Sequence, residues 1–144
     1  MRIGIATDHG GFGLKEELVA QLRAAGHDVV DFGANSLSPD DDYPDFVTPL
    51  GHAVATGQVE RGVAICGSGV GASVCANKIP GVRAALAWDP WIAEGARRWN
   101  DANVLVMSLK RTTPETAREI VRAWLSVAEP DEDERANIAK LDAQ

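Results

Sequence analysis

The chain has 144 residues and a formal charge of -7, from 21 acidic and 14 basic side chains, with 45% apolar content. That length suits one domain with a full core. The acidic balance argues against nucleic acid or an anionic membrane surface as a general partner, while leaving room for a small anionic ligand. No run reaches membrane-spanning length, and the N-terminus lacks the segments of a signal peptide. The two cysteines, Cys66 and Cys75, therefore read as free thiols of a reducing, cytoplasmic compartment.

Arg2 to Ala6 is the first predicted strand and runs into Thr7-Asp8-His9-Gly10-Gly11. Leu14, Leu18 and Leu22 then repeat at helical spacing, and Gly26 ends that helix. Asp28 to Phe32 is the second strand, so the unit is βαβ and favours a parallel sheet. A polar loop from Gly33 to Asp42 carries three consecutive aspartates. Tyr43 to Ala55 reads as a helix in which Pro49 marks a kink or a later start. Gly62 to Cys66 is a short apolar run and the third strand, followed by glycines 67, 69 and 71 and a helix from Ala72 to Lys78.

Beyond the Pro80-Gly81 turn, Val82 to Ala87 is the fourth strand. Asp89 caps a helix that begins at Pro90 and reaches about Trp99. Asn103 to Ser108 is the fifth strand, and Thr113 opens a helix ending near Val127, with Ile120, Val121, Trp124 and Leu125 facing inward. Residues 128–144 form an acidic breaker and a short tail helix from Arg135 to Leu141, too poor in apolar residues to stand unless docked, with a partner subunit as the expected surface. Five strands alternating with helices predict one open α/β sandwich rather than a barrel.

Open parallel sheets bind ligands beyond the carboxyl ends of their strands. Two marked loops occupy such ends: Asp8-His9 with its glycines, and Gly67-Ser68-Gly69-Val70-Gly71. Asp8 and His9 have two readings, turn chemistry or polar substrate ligands. The glycine loop reads as an anion cradle beside the Cys66 thiol, or as a tight strand-to-helix turn. It matches neither the P-loop nor the dinucleotide fingerprint. Cys66 is placed to act as a nucleophile or a proton acceptor, whereas Cys75, inside a short apolar helix, reads as core. His9, His27 and His52 lack ligand spacing, so no metal site and no cofactor is expected. Trp88, Trp91 and Trp124 fit packing or an interface, and Trp99, beside Asn100-Asp101, lies nearer the suspected cleft. Asn100 and Asp101 precede the fifth strand and need the geometry of that turn, or a second subunit, to reach it.

The segments Ile5-Ala6-Thr7-Asp8-His9-Gly10-Gly11, Asp42-Tyr43-Pro44-Asp45, Cys66-Gly67-Ser68-Gly69-Val70-Gly71, Ala76-Asn77-Lys78, Gly81-Val82-Arg83-Ala84 and Asn100-Asp101-Ala102-Asn103-Val104-Leu105 follow one another in this order. Together they resemble the ribose-5-phosphate isomerase B family, which includes the galactose-6-phosphate isomerase subunits. The resemblance implies a three-layer Rossmann-like sandwich with a five-stranded parallel sheet. It implies a metal-independent aldose–ketose isomerase of a sugar phosphate, in the pentose phosphate pathway by family default. Homodimers or tetramers with shared active sites are expected. Cys66 would move a proton between C1 and C2 through a cis-enediolate, and Ser68 would shuttle one between O1 and O2. The N–H groups from Gly67 to Gly71 would hold the enediolate. Asp8, His9, Tyr43 and Asn100 would contact the sugar.

Two departures stand out. Trp99 occupies the position of the family's ring-opening histidine, and an indole is a donor only. Lys110, with Arg111 adjacent, replaces an arginine, and in the tail Arg135 is the only basic candidate left for the phosphate amid Asp133, Glu134 and Asn137. The alternatives are therefore a tetrose 4-phosphate, a hexose 6-phosphate or an unphosphorylated sugar as substrate, or a non-catalytic subunit of a hetero-oligomer.

Overall fold

The computed structural model describes residues 1–144. In chain order the elements are β1 (Arg2–Thr7), α1 (Phe12–Ala24), β2 (Asp28–Asp31), α2 (Tyr43–Ala55), β3 (Arg61–Cys66), α3 (Val70–Asn77), β4 (Ala84–Leu86), α4 (Pro90–Asn100), β5 (Val104–Ser108), α5 (Pro114–Leu125) and α6 (Arg135–Asp142), with short 3-10 turns at His9–Gly11 and Glu132–Glu134. All strands are parallel, in the order β2-β1-β3-β5-β4. β3 is buried along its whole length at the centre, which is why its sequence is a continuous apolar run rather than an alternating one.

Successive strand residues face opposite layers. Ile3, Ile5, Val63, Ile65, Leu105 and Met107 pack under α1, α4 and α5, where Leu18, Leu22, Ile120 and Trp124 are fully buried. Ala6, Ala64, Cys66, Val104 and Val106 face α2 and α3. The result is a three-layer Rossmann-like sandwich. No helix is long and apolar enough to cross a membrane.

Local chemistry sets several boundaries. Asp89 accepts the Ile92 N–H at 2.8 Å, and Thr113 accepts the Thr116 N–H at 3.1 Å, so both predicted caps form. α2 continues through Pro49, which lies on its exposed side. α3 begins at Val70, two residues before the sequence suggests, because Ser68 Oγ accepts the Val70 N–H at 3.1 Å. β4 is shorter than the predicted Val82–Ala87 strand. The Val82 N–H turns back to Ile79, and the Arg83 N–H is taken by the Asn103 side chain at 2.7 Å. The tail docks on its own chain: Ile138 is buried, Arg98 pairs with Asp131 at 3.0 Å and Arg83 with Asp142 at 2.8 Å.

Candidate active site

β1 lies between β2 and β3, so the connections leaving β1 and β3 diverge to opposite halves of the sheet. A crevice opens between them at their carboxyl ends, the usual ligand position of such sheets. Thr7 pairs with Ile65, which brings Asp8 and His9 beside Cys66. Cys66 ends β3 at 3% exposure, in the layer it shares with Tyr43.

The loop after Cys66 is fixed from one side. The Leu109 N–H donates to the Cys66 carbonyl at 2.9 Å, and the Lys110 N–H to the Gly67 carbonyl at 3.0 Å. Ser108 Oγ donates to the same Gly67 carbonyl at 2.9 Å and accepts the Arg111 N–H at 3.2 Å. The carbonyls are thus engaged, while the N–H groups of Gly67, Ser68 and Gly69 donate to no group of the chain. Those donors, with the first-turn N–H groups of α3 behind them, form a concentrated source of positive potential next to a thiol. Gly69 has φ 81°, and a Cβ there would sit 2.5 Å from Leu86 and 3.2 Å from the backbone of Met107 and Ser108. At Gly71 a Cβ would meet the Tyr43 ring at 2.6 Å, so Tyr43 reaches the loop only because position 71 is bare.

Asp8 accepts the Gly10 N–H at 3.1 Å, as a turn residue does. His9 is tied to Asp41, from the β2–α2 loop, through its backbone N–H at 3.0 Å and its Nδ1 at 2.7 Å. The Asp41 hydrogen bond raises the His9 pKa above its ordinary value; partial burial opposes it, and the charges of Asp41 and Asp8 reinforce it. Asp41 was not among the residues singled out from sequence; the run of aspartates before Tyr43 was its only signal. Lys110 and Arg111 follow β5 at the same end of the sheet, exposed and in no ion pair within the chain.

Three sequence candidates lie elsewhere. Trp99 and Asn100 end α4 and therefore sit at the amino ends of the strands, away from Cys66 within one chain. Asn100 is exposed and lines a cleft of about 360 Å³ with Asn77, Arg83 and Leu141. The Trp99 indole folds back over Gly95 and meets Trp91 edge-on, ring centroids 5.3 Å apart. Arg135 sits at the start of α6 and is already occupied by Glu132 at 2.6 Å and Glu129 at 3.6 Å. The turn before β5 thus does not carry Asn100 to Cys66 within one chain. Of the tryptophans assigned to packing or an interface, Trp124 is fully buried, whereas Trp88 and Trp91 are 60% and 65% exposed. Cys75 is only partly buried and lies 3.2 Å from Thr48 Oγ1, between α2 and α3. No group of three or more His, Cys, Asp or Glu side chains is arranged to hold a metal ion.

Residues 3–141 match the family model described as Ribose/Galactose Isomerase. The chain is 44% identical to ribose-5-phosphate isomerase B of Escherichia coli (strain K12), across 86% of this chain and 83% of that protein. It is 35% identical to the D-erythrulose-4-phosphate isomerase of Pectobacterium atrosepticum, across 87% of this chain and 82% of that protein. Among solved structures, ribose-5-phosphate isomerase B of Clostridium thermocellum superposes with a TM-score of 0.94 at 38% identity, covering 99% of this chain and 96% of that one. The Mycoplasma genitalium enzyme with bound ribulose-5-phosphate gives 0.94 at 35% identity, covering 99% and 94%.

Proposed function

The chain belongs to the ribose/galactose isomerase family, and on that premise we propose that it interconverts ribose 5-phosphate and ribulose 5-phosphate through a cis-enediolate. The observation that carries this reading is the Cys66 thiol at a strand end beside three unpaired N–H groups. Isomerisation moves one proton between C1 and C2 while negative charge develops on O1 and O2. A base next to fixed N–H donors fits both demands.

Cys66 takes the C2 proton of the open aldose and returns it to C1. Ser68 passes a proton between the two oxygens: its Oγ accepts from Val70, which leaves its hydroxyl hydrogen free to donate. The free N–H groups of Gly67, Ser68 and Gly69 hold the enediolate, and Asp8, His9 and Tyr43 contact the sugar. Lys110 and Arg111 meet the phosphate from the same end of the sheet. Asn100 and Arg135 reach the site from a second copy of the chain, because in one copy they lie at the opposite end of the strands. This makes the working unit a homodimer or a tetramer of such dimers, with the tail also contacting the partner. The names of the ribose-5-phosphate isomerase B relatives support a pentose phosphate as the substrate.

A second reading is favoured by one residue. Trp99 cannot act as acid or base, and a tetrose 4-phosphate, whose O4 is esterified, forms no furanose and needs no ring opening. The similarity to the Pectobacterium protein supports it. Coupled assays with ribose 5-phosphate, allose 6-phosphate, erythrose 4-phosphate and free pentoses decide between them. Dominant turnover of ribose 5-phosphate establishes the first reading, and dominant turnover of erythrose 4-phosphate replaces it with the second. Activity with none of these sugars, alone or mixed with candidate partner subunits, would sink both.

A further inference from the structure

Lys15 is fully buried, whereas every other lysine of the chain is exposed. Its ammonium donates to the two Asp31 oxygens at 2.9 Å and 2.8 Å and to Asn35 Oδ1 at 3.2 Å. Glu16 lies 3.5 Å away, and the Phe12 ring closes another side, its centroid 5.3 Å from Nζ. Stability alone does not account for such a pair, because well-packed apolar side chains in its place are often equally stable. The pair also holds a turn. Asp31 Oδ1 accepts the Gly33 N–H at 2.9 Å. The Gly33 carbonyl accepts the Thr7 N–H at 2.8 Å, and the Ala34 N–H donates to the Thr7 carbonyl at 2.6 Å. The β1–β2 register ends at Ile5 and Asp31, so beyond it this turn takes the place of the strand. Thr7 is thereby gripped between the turn and Ile65 of β3, and Asp8 and His9 follow it directly. The loop leaving the turn meets them again at Asp41, which accepts the His9 N–H at 3.0 Å.

We propose that Lys15 and Asp31 are positioning residues for substrate binding: the pair fixes the turn at residues 33–35, and the turn fixes the Asp8–His9 loop against the Cys66 loop. This rests on the isomerase reading above, in which Asp8 and His9 contact the substrate. Lys15 acts from within the protein, since its side chain has no exposed surface. Asp31 acts through the backbone, its oxygens engaged by Lys15 and the Gly33 N–H. Without the carboxylate the Gly33 N–H loses its acceptor and the turn is free to shift. A misplacement of about 1 Å in groups that position a substrate costs up to about a hundredfold in rate.

Lys15→Met with Asp31→Ala separates positioning from stability, because both charges leave together. Its urea midpoint is expected to lie close to native. KM for ribose 5-phosphate rises about tenfold while kcat changes by less than about threefold, as displaced ground-state contacts require. Amide hydrogen exchange of the full chain gives a readout independent of turnover. The N–H groups of His9, Gly10 and Gly11 are bonded to Asp41, to the Asp8 side chain and to the Asp8 carbonyl. They are expected to exchange at least about tenfold faster, while the amides of β3 keep their native rates. Lys15→Met with Asp31→Asn returns an acceptor to the Gly33 N–H and restores most of both properties. Lys15→Met with Asp31→Leu refills the space and takes over the test where the Ala form does not fold. Native KM together with native exchange at the loop would overturn the proposal. Faster exchange throughout the sheet would also overturn it, by marking a merely structural pair, and so would an Asn form no better than the Ala form. If the native protein turns over no sugar, the isomerase reading falls, while exchange at residues 9–11 still decides whether the pair holds the loop.

Discussion

Gly69→Ala tests the loop geometry on which the site depends. At φ 81° an L-residue is strained by about 1–2 kcal/mol. The added methyl would also sit 2.5 Å from Leu86 Cδ1, which can swing aside, and 3.2 Å from the Met107 and Ser108 backbone, which is held in the sheet. Overpacking of this kind costs about 1–3 kcal/mol. The sum, about 2–5 kcal/mol, corresponds to a fall in Tm of roughly 5–15 °C for a chain of this size. Gly67→Ala is the control, because a Cβ at position 67 meets nothing within 4 Å and its φ is not positive. Its stability is expected to change by less than about 1 kcal/mol. Urea denaturation and thermal melts of both variants measure the difference. Activity follows the same geometry: displacing one N–H donor lowers kcat by about a hundredfold or more. If Gly69→Ala and Gly67→Ala are equally stable, the left-handed turn and its close approach to β5 are not as described.

The same reasoning extends to other positions. Cys66→Ala is expected to lose about 100- to 10,000-fold in isomerisation with a Tm close to native, in coupled assays and melts run side by side. Lys15 is fully buried with its ammonium 2.8 Å and 2.9 Å from the Asp31 oxygens. Asp31→Ala leaves that charge only Asn35 Oδ1 at 3.2 Å and Glu16 at 3.5 Å and destabilises by about 3–5 kcal/mol in urea titrations, while adding Lys15→Met recovers most of the loss. Lys110→Ala with Arg111→Ala raises KM for a sugar phosphate roughly tenfold or more, with a smaller change in kcat, in steady-state kinetics.

Helix starts were legible because caps are local: Asp89 and Thr113 bond N–H groups three residues on, and Tyr43–Ala55 has its predicted limits. Strand order was not, since nothing in the fifth strand's own residues says that it inserts between β3 and β4. The same limit hid β4's true length, set by an Asn103 side chain twenty residues away in the chain. It also hid the partner of Lys15, whose helical stretch carries no mark of burial. Of the site, the Cys66 half was readable because thiol, glycines and helix start are contiguous. The His9–Asp41 contact joins positions 32 residues apart, and Asp41 is one of three adjacent aspartates with no feature to distinguish it. That Trp99 and Asn100 lie away from Cys66 within one chain follows from their place before β5, at the amino ends of the strands.

The separation of Cys66 from Asn100 to opposite strand ends has a consequence for inheritance of activity within a dimer. In the dimer proposed above, a two-fold axis would give two equivalent sites, each built from the thiol loop of one copy and the Asn100 corner of the other. Suppose copies carrying Cys66→Ala are mixed with copies carrying Asn100→Ala, both inactive alone. Half of the randomly reassorted dimers are then hybrids, and each hybrid holds one site with both defects and one with neither. Such a mixture recovers up to about a quarter of native activity, so two dead enzymes yield a live one. A chain that completed its own site would recover nothing.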